Sequence, residues 1–232
     1  MGEQKVRKIT DKKSRADFIR HLLIDIDALE MMLEKGMIES DITRIGSEQE
    51  FCLVENNWRP SRKSGVILEE IADEHFTTEI AVFNLEINLD PVELKGDAFS
   101  KVEAQLTSLL EKAKAKANEH KNRIVLTGIL PTISKKELEF KYMTPNPRYW
   151  MLNDMLKVLR GSNFRLHLRG VDELFIKHDS VMFEGCNTSF QLHLQIAPDD
   201  FISSYNWAQA ISGPILGVCT NSPILLGREL WS

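Results

Sequence analysis

The sequence is poor in cysteine, and its three cysteines, Cys52, Cys186 and Cys219, show no C-x-x-C spacing. Neither a structural zinc site nor a disulfide framework is therefore expected, and this cysteine usage is typical of a reducing cytosol. No residue pattern around the three thiols marks an activated nucleophile. We expect Cys186 to serve as a small apolar filler of the core.

The sequence also lacks long apolar runs and has no excess of lysine and arginine over aspartate and glutamate. No stretch reaches the roughly 18 apolar residues that span a bilayer, and the charged N-terminus has no apolar run behind it, so we predict neither a membrane segment nor a signal peptide. The net charge of −5 argues against a nucleic-acid-binding protein, which would usually carry a basic face. These absences predict a cytoplasmic protein with no nucleic-acid or membrane partner.

Several well-known catalytic signatures are absent. The sequence has no Walker A motif, no G-x-G-x-x-G, no G-x-S-x-G and no H-E-x-x-H. If the protein is an enzyme, its chemistry is therefore expected to depend on metal-assisted electrostatics rather than on a covalent nucleophile.

A segment with two glutamates is the most informative stretch that is present. Residues 44–53, RIGSEQEFCL, alternate as a β-strand does, which places Glu48 and Glu50 on one face. Phe51 and Leu53 share the other face. Two carboxylates about 7 Å apart on one buried face repel each other and lose hydration. Either a cation or a basic side chain compensates them, or this is an edge strand with two solvated glutamates, and the spacing alone does not decide.

Two later segments carry similar polar rows. Residues 76–91 end in an alternating stretch with Glu86 on its polar face, and residues 186–198 place Gln191 and His193 on one face. Glu79 lies seven residues before Glu86, which is an odd separation. The two carboxylates therefore converge only if a bulge or bend lies between them.

Helical spacing surrounds these strands. We predict a mobile basic arm over residues 1–13, a helix over 14–35, a second over 97–121 and a last one from about 199 to 219. The first two helices are expected to pack on the apolar face of an antiparallel sheet whose other face is open and polar. This is an α+β architecture with helices on the outer face of the sheet.

The shared polar face indicates a metal site. Glutamates together with an amide and an imidazole form a hard, oxygen-rich set of donors, which suits Mg²⁺ or Mn²⁺ better than zinc. Magnesium in proteins usually keeps waters and shares phosphate oxygens, so a nucleotide is its natural companion. An open sheet that is wetted by solvent, or covered by a partner, is the alternative.

Four segments occur in an order that points to one family. They are IGSEQEF (45–51), TEIAVFNLEINLDP (78–91), TSFQLHLQ (188–195) and TNSPILLGRE (220–229). With them the chain resembles glutamate–cysteine ligase family 2, the ATP-dependent carboxylate–amine ligases of the glutamine-synthetase-like superfamily. The resemblance implies an antiparallel sheet that forms half of a funnel, with Mg²⁺ or Mn²⁺ held between ATP and an amino acid. The implied metal ligands are Glu48, Glu50, Glu79, Glu86, Gln191 and His193.

The resemblance implies a reaction as well as a site. Family members phosphorylate a carboxylate, the γ-carboxylate of glutamate by default, and an amine such as cysteine then attacks the acyl phosphate, as in glutathione biosynthesis. The implied small molecules are ATP, glutamate and the amine. The first histidine of the family's H-x-H strand is replaced here by Gln191, and an amide oxygen can still ligate magnesium.

The catalytic domain of this family continues well beyond the N-S-P segment. Residues 14–232 are therefore expected to be the N-terminal part of a truncated catalytic domain, inactive as a fragment alone. Half a funnel leaves a sheet edge and apolar surface open, which predicts a homo-oligomer or a missing C-terminal half as partner. Three alternatives stay open: an inactive or regulatory relative, a binding or interaction domain, and an unrelated metal-dependent phosphoryl-transfer or hydrolytic enzyme.

Overall fold

Helices and strands alternate along the chain in this computed structural model, which describes residue 6 and residues 11–230. The helices are α1 (Lys12–Glu34), α2 (Ser64–Ile71), α3 (Ala98–Glu119), α4 (Pro147–Arg160) and α5 (Phe201–Val218). The strands are β1 (Arg44–Glu55), β2 (Phe76–Thr78), β3 (Asn84–Asn88), β4 (Val92–Glu93), β5 (Asn122–Val125), β6 (Phe164–Arg169), β7 (Glu173–His178), β8 (Phe190–Leu194), β9 (Ile224–Leu225) and β10 (Arg228–Glu229). Short 3-10 helices lie at Lys135–Leu138, Phe140–Tyr142, Val181–Cys186 and Pro198–Asp200.

The main sheet is antiparallel and is organised around β1. Strands β4 and β3 follow each other along one edge of β1, β8 and β5 lie along the other, and β2 extends the sheet beyond β3. Strands β6 and β7 form a separate hairpin, as do β9 and β10. The predicted α+β architecture with an antiparallel sheet and helices is confirmed.

One face of the sheet is covered by α2 and α3. Phe51 and Leu53 of β1 and Leu85 and Ile87 of β3 are fully buried in the core on this side. The facing side of α3 contributes small and medium apolar residues: Val102, Leu109, Ala113 and Ala117. The predicted packing of the second helix on the apolar face is therefore correct.

The opposite face of β1 has two different halves. Cys52 and Val54, in its C-terminal half, are fully buried under a second core that is built from later parts of the chain. The main segments of this second core are 80–83, 130–149 and 174–186. Glu48 and Glu50, in the N-terminal half, are not covered by this second core, and both side chains are partly exposed. The expected polar, open face is thus wrong for half of the strand, because distant segments fold over it.

The helix α1 departs from the prediction. Its apolar residues follow helical spacing, but none of its residues is buried against the described part of the chain. Leu22, Ile26 and Leu29 are 47%, 53% and 51% exposed. Because α2 and α3 already cover the apolar face of the sheet, α1 has no place there, and its predicted packing is wrong.

The predicted boundary between arm and helix also changes. The Ser14 backbone amide donates a hydrogen bond to the Asp11 carboxylate (2.8 Å), so Asp11 caps a helix that begins at Lys12. Residues 1–5 and 7–10 of the predicted mobile arm lie outside the described residues.

Strand β8 and helix α5 expose apolar surface as well. Phe190, Leu192 and Leu194, which were expected to face the helices, are 46%, 61% and 51% exposed. The expectation fails because α3 packs mainly on β5, β4 and β1. Helix α5 runs through Pro214 and buries none of its residues. Neither α5 nor any other helix among the described residues is both long and apolar enough to cross a membrane.

An ion pair between a partly exposed arginine and a buried glutamate ties the turn after β1 to the second core. Glu137 is 1% exposed and accepts hydrogen bonds from the Ser134 backbone amide (2.8 Å) and the Arg59 guanidinium (2.6 Å). Arg59 also donates to the Thr132 carbonyl (2.5 Å). The pair therefore fastens the turn after β1 to the segment that covers Cys52.

Replacing Glu137 with alanine should destabilise the protein. The substitution leaves the Ser134 amide without its acceptor and removes one of three acceptors of the Arg59 guanidinium, so the free energy of unfolding should fall by roughly 1–3 kcal/mol in urea denaturation. The control is Glu139→Ala, which removes an exposed carboxylate nearby and should stay within about 0.5 kcal/mol of the wild type. Equal losses of unfolding free energy in the two variants would contradict the expected role of the buried Glu137 carboxylate.

Candidate functional site

Two glutamates lie opposite each other on neighbouring strands. The register of β1 and β3 pairs Glu50 with Glu86 and Glu48 with Asn88. Directly opposite residues point to the same face, with Cβ atoms about 5 Å apart. The sheet therefore brings two carboxylates together on the polar half of this face.

Glu79 reaches the same place because the chain folds back on itself. Strand β2 pairs with β3 so that Thr77 lies opposite Glu86, and Glu79 follows β2 in the link between the two strands. The Thr144 hydroxyl donates a hydrogen bond to the Glu79 carbonyl (2.5 Å) and holds this link in place. The bend that was required between Glu79 and Glu86 is therefore present.

The three carboxylates form one cluster. Oxygens of Glu50, Glu79 and Glu86 all lie within 4.8 Å of one another. Glu86 is 9% exposed, and the other two are partly buried. In the part of the chain that the structure describes, this is the only group of three or more acidic, histidine or cysteine side chains close enough to share a cation. Carboxylate oxygens are the ligands that Mg²⁺ and Mn²⁺ prefer.

Burial and like charge perturb the cluster. Burial, followed by the neighbouring carboxyls of Glu86 and Glu50, raises the pKa of Glu79 to about 8. Burial also raises the pKa of Glu50, although hydrogen bonds from Ser189 oppose the shift. Full ionisation of the cluster is therefore penalised by lost hydration and mutual repulsion, and a divalent cation would relieve both.

Two neighbouring residues orient the carboxylates. The Ser189 backbone amide and hydroxyl donate to one oxygen of Glu50 (2.7 and 3.2 Å), and the Asn88 amide donates to Glu86 (2.7 Å). Neither Ser189 nor Asn88 was among the predicted site residues. Alternation along β3 places Asn88 on the Glu86 face and could have indicated its role, whereas the contact of Ser189 depends on the pairing of distant strands.

The other three predicted ligands lie beside the cluster. Strand β8 pairs with β1 so that Gln191 lies opposite Glu48 and His193 lies opposite Gly46. His193 Nε2 is 3.6 Å from Glu48 Oε1, and both residues line a cavity of about 550 Å³. The six predicted ligands thus form a cluster of three and an adjacent row of three on one face. Metal binding by any of them stays a prediction.

Thiol chemistry finds no support at this face. Burial raises the pKa of both Cys52 and Cys186 to about 12, so neither thiol ionises near neutral pH. Cys186 is 1% exposed within the second core, which confirms its predicted role as an apolar filler.

Comparison with known families agrees with this site. The model of glutamate–cysteine ligase family 2 matches residues 44–232, a range that starts with β1 and contains all three carboxylates of the cluster. The chain belongs to glutamate–cysteine ligase family 2. The resemblance seen in the sequence is confirmed, and α1 precedes the matched range. A comparison with curated proteins found no match.

The stability of this ligase-family protein without metal should depend on the protonation of Glu79. Its pKa is about 8 in the folded protein against an ordinary value of 4.5, so the folded state holds a proton that the unfolded state releases. The resulting contribution to stability is complete below about pH 4.5 and is lost as the pH rises through about 8.

A neutral side chain at position 79 should remove this dependence. Between about pH 5.5 and pH 8 in EDTA, the wild type should lose about 2 kcal/mol more unfolding free energy in urea than Glu79→Gln. Glu55→Gln, at the exposed end of β1, is the control and should follow the wild type. Parallel pH profiles for all three proteins would show that Glu79 does not carry the extra proton.

Proposed function

We propose that the protein is an ATP- and Mg²⁺-dependent carboxylate–amine ligase, with Mn²⁺ as a substitute ion. The observation that carries the proposal is the convergence of Glu50, Glu79 and Glu86 in a member of glutamate–cysteine ligase family 2. The γ-carboxylate of glutamate is the default acid, and cysteine or another amino compound is the amine. With cysteine, the reaction would belong to glutathione biosynthesis.

The residues of the cluster fit a hard divalent cation. Three carboxylate oxygens within 4.8 Å of one another supply negative charge and suitable donor atoms. When bound, the cation supplies positive charge that neutralises the transferring phosphoryl group and helps to align the substrates. The hydrogen bonds from Ser189 to Glu50 and from Asn88 to Glu86 hold the donors in position.

The row of Glu48, Gln191 and His193 extends the donor set along the sheet. Its neighbouring cavity of about 550 Å³ has a volume typical of small-molecule sites. The amide oxygen of Gln191 is a weaker donor than a carboxylate, so Glu48 contributes most of the charge here.

The proposed reaction has two displacements. A carboxylate oxygen of the first substrate attacks the γ-phosphorus of ATP, which forms an acyl phosphate and releases ADP. The amine nitrogen then attacks the acyl carbon, which releases phosphate, and the nitrogen loses a proton to solvent. The protein contributes chiefly by positioning the reactants and excluding water, since Cys52 and Cys186 remain protonated.

Removing one carboxylate should weaken cation binding. We expect Glu50→Gln to lower the affinity for Mn²⁺ by at least about tenfold, because it removes a charged ligand from the cluster. The signal of free Mn²⁺ in electron paramagnetic resonance measures the affinity. The matched control, Glu55→Gln, changes a glutamate on the same strand outside the cluster and should bind as the wild type does. Unchanged affinity in Glu50→Gln would rule out a metal site at this cluster.

Phosphate release from ATP should require an amine. With Mg²⁺ and glutamate present, at least one member of a panel of amino compounds should start the release by the full-length gene product, and Glu86→Gln in that product should reduce it by about 100-fold or more. Glu55→Gln should keep the wild-type rate. Release without any amine would identify a hydrolase instead. Binding of Mg²⁺-ATP with no release under any condition would favour a regulatory or binding role.

A further inference from the structure

A large cavity lies at the start of α2 and extends to Thr78 and Thr144, beside the backbone of Glu79. Its volume is about 1160 Å³, and none of the six predicted metal ligands lines it. Three cationic side chains line it, those of Arg62, Lys63 and Lys141. Within the described chain, the residues that line it include no aspartate and no glutamate. The cavity is therefore opposite in charge to the carboxylate cluster.

Two of the cations are held around one aromatic ring. The Arg62 guanidinium lies 5.6 Å from the centre of the Tyr142 ring, and the Lys141 ammonium lies 5.7 Å from the same centre. Lys141 has a carboxylate partner, Glu139, at 2.5 Å. Arg62 has no carboxylate oxygen within 4.0 Å among the residues that the structure describes. Like charges kept close together with one counter-ion create a potential that attracts an anion.

The start of α2 adds hydrogen-bond donors to the same cavity. Ser64, Gly65 and Val66 line it, and the backbone amides of a first helical turn have no acceptor within the helix. Lys63 precedes the helix, makes no side-chain capping bond, and places its ammonium 3.0 Å from the His120 carbonyl. The helix dipole adds partial positive charge to that of the side chains.

Part of the cavity wall is aromatic. Trp150 stacks on Phe140 with 5.2 Å between ring centroids and 29° between the ring planes, and both residues line the cavity. Met143, Pro145 and Pro147 continue the apolar surface. A wall of this kind accommodates a flat apolar body, while the cations and amides accommodate a charged head.

We propose that this cavity binds an organic phosphate. The phosphate contacts Arg62, Lys63 and the first amides of α2, and the apolar body lies on Trp150. This site differs from the carboxylate cluster in one measurable respect. The cluster accepts phosphate oxygens only through a cation, whereas the cavity supplies its own positive charge. Chelation of metal therefore abolishes phosphate binding at the cluster and leaves the cavity able to bind.

Titration calorimetry with pyrophosphate in EDTA tests the charged part of the site. The wild type should bind, and the double variant Arg62→Ser/Lys63→Ser should bind at least about tenfold more weakly, because two charged donors are lost. Serine at position 63 is favourable before a helix, so α2 is preserved. The control, Lys114→Ser/Arg165→Ser, removes equal charge at exposed positions and should bind as the wild type does. No binding, or equal binding by all three proteins, would overturn the proposal.

Adenosine monophosphate in EDTA tests the apolar part. It should bind the wild type more tightly than inorganic phosphate does, and Trp150→Leu should remove that advantage while pyrophosphate binding stays within about twofold. Equal affinity for the nucleotide and for inorganic phosphate in the wild type would overturn the assignment to an organic ligand. Glu50→Gln should bind both probes as the wild type does, so a failed metal site and a failed cavity give different results.

Discussion

The antiparallel pairing of β1 with β3 is the constraint on which the candidate site depends. The same ladder that places Glu50 opposite Glu86 on one face places Phe51 opposite Leu85 on the other. Phe51 and Leu85 are fully buried, and each such burial contributes about 1.5–3 kcal/mol. Burial of this size offsets the few kcal/mol by which two close carboxylates repel each other. Burial of the apolar face therefore keeps Glu50 and Glu86 next to each other despite their repulsion.

The cluster and the large cavity show how charge is divided in a chain whose net charge is only −5. Negative charge is concentrated among partly buried side chains of the sheet, where Glu50, Glu79 and Glu86 lie within reach of one another. Positive charge is concentrated beside the first turn of α2, where Arg62 and Lys63 lack carboxylate partners among the described residues. The net charge of the chain reveals neither feature, because the negative charges of the cluster and the positive charges beside α2 largely cancel in the sum.

The sequence predicted the parts of the structure that depend on local periodicity. Alternation along β1 and β3 was enough to place Glu50 and Glu86 on polar faces, because side chains in a strand change face at every residue. It could not reveal that Cys52, on the Glu50 face, lies under segments more than 70 residues away in sequence. The helical stripe of α1 was also correctly recognised, but periodicity does not say which surface covers a stripe. Most interactions that went unpredicted are between distant segments, although the hydrogen bond from Asn88 to Glu86 within β3 is a local exception.

The short link between β2 and β3 limits how this protein can change during evolution. Ile80 and Val82 of the link exchange backbone hydrogen bonds with the segment around Thr144 and Tyr142 (2.8 and 2.7 Å), while Glu79 points into the cluster. An insertion or deletion of one residue would shift this pairing out of register and move the Glu79 carboxylate away from the cluster. Substitutions should therefore accumulate here far more readily than changes in length, and relatives that keep the cluster should share the spacing of Glu79 and Glu86.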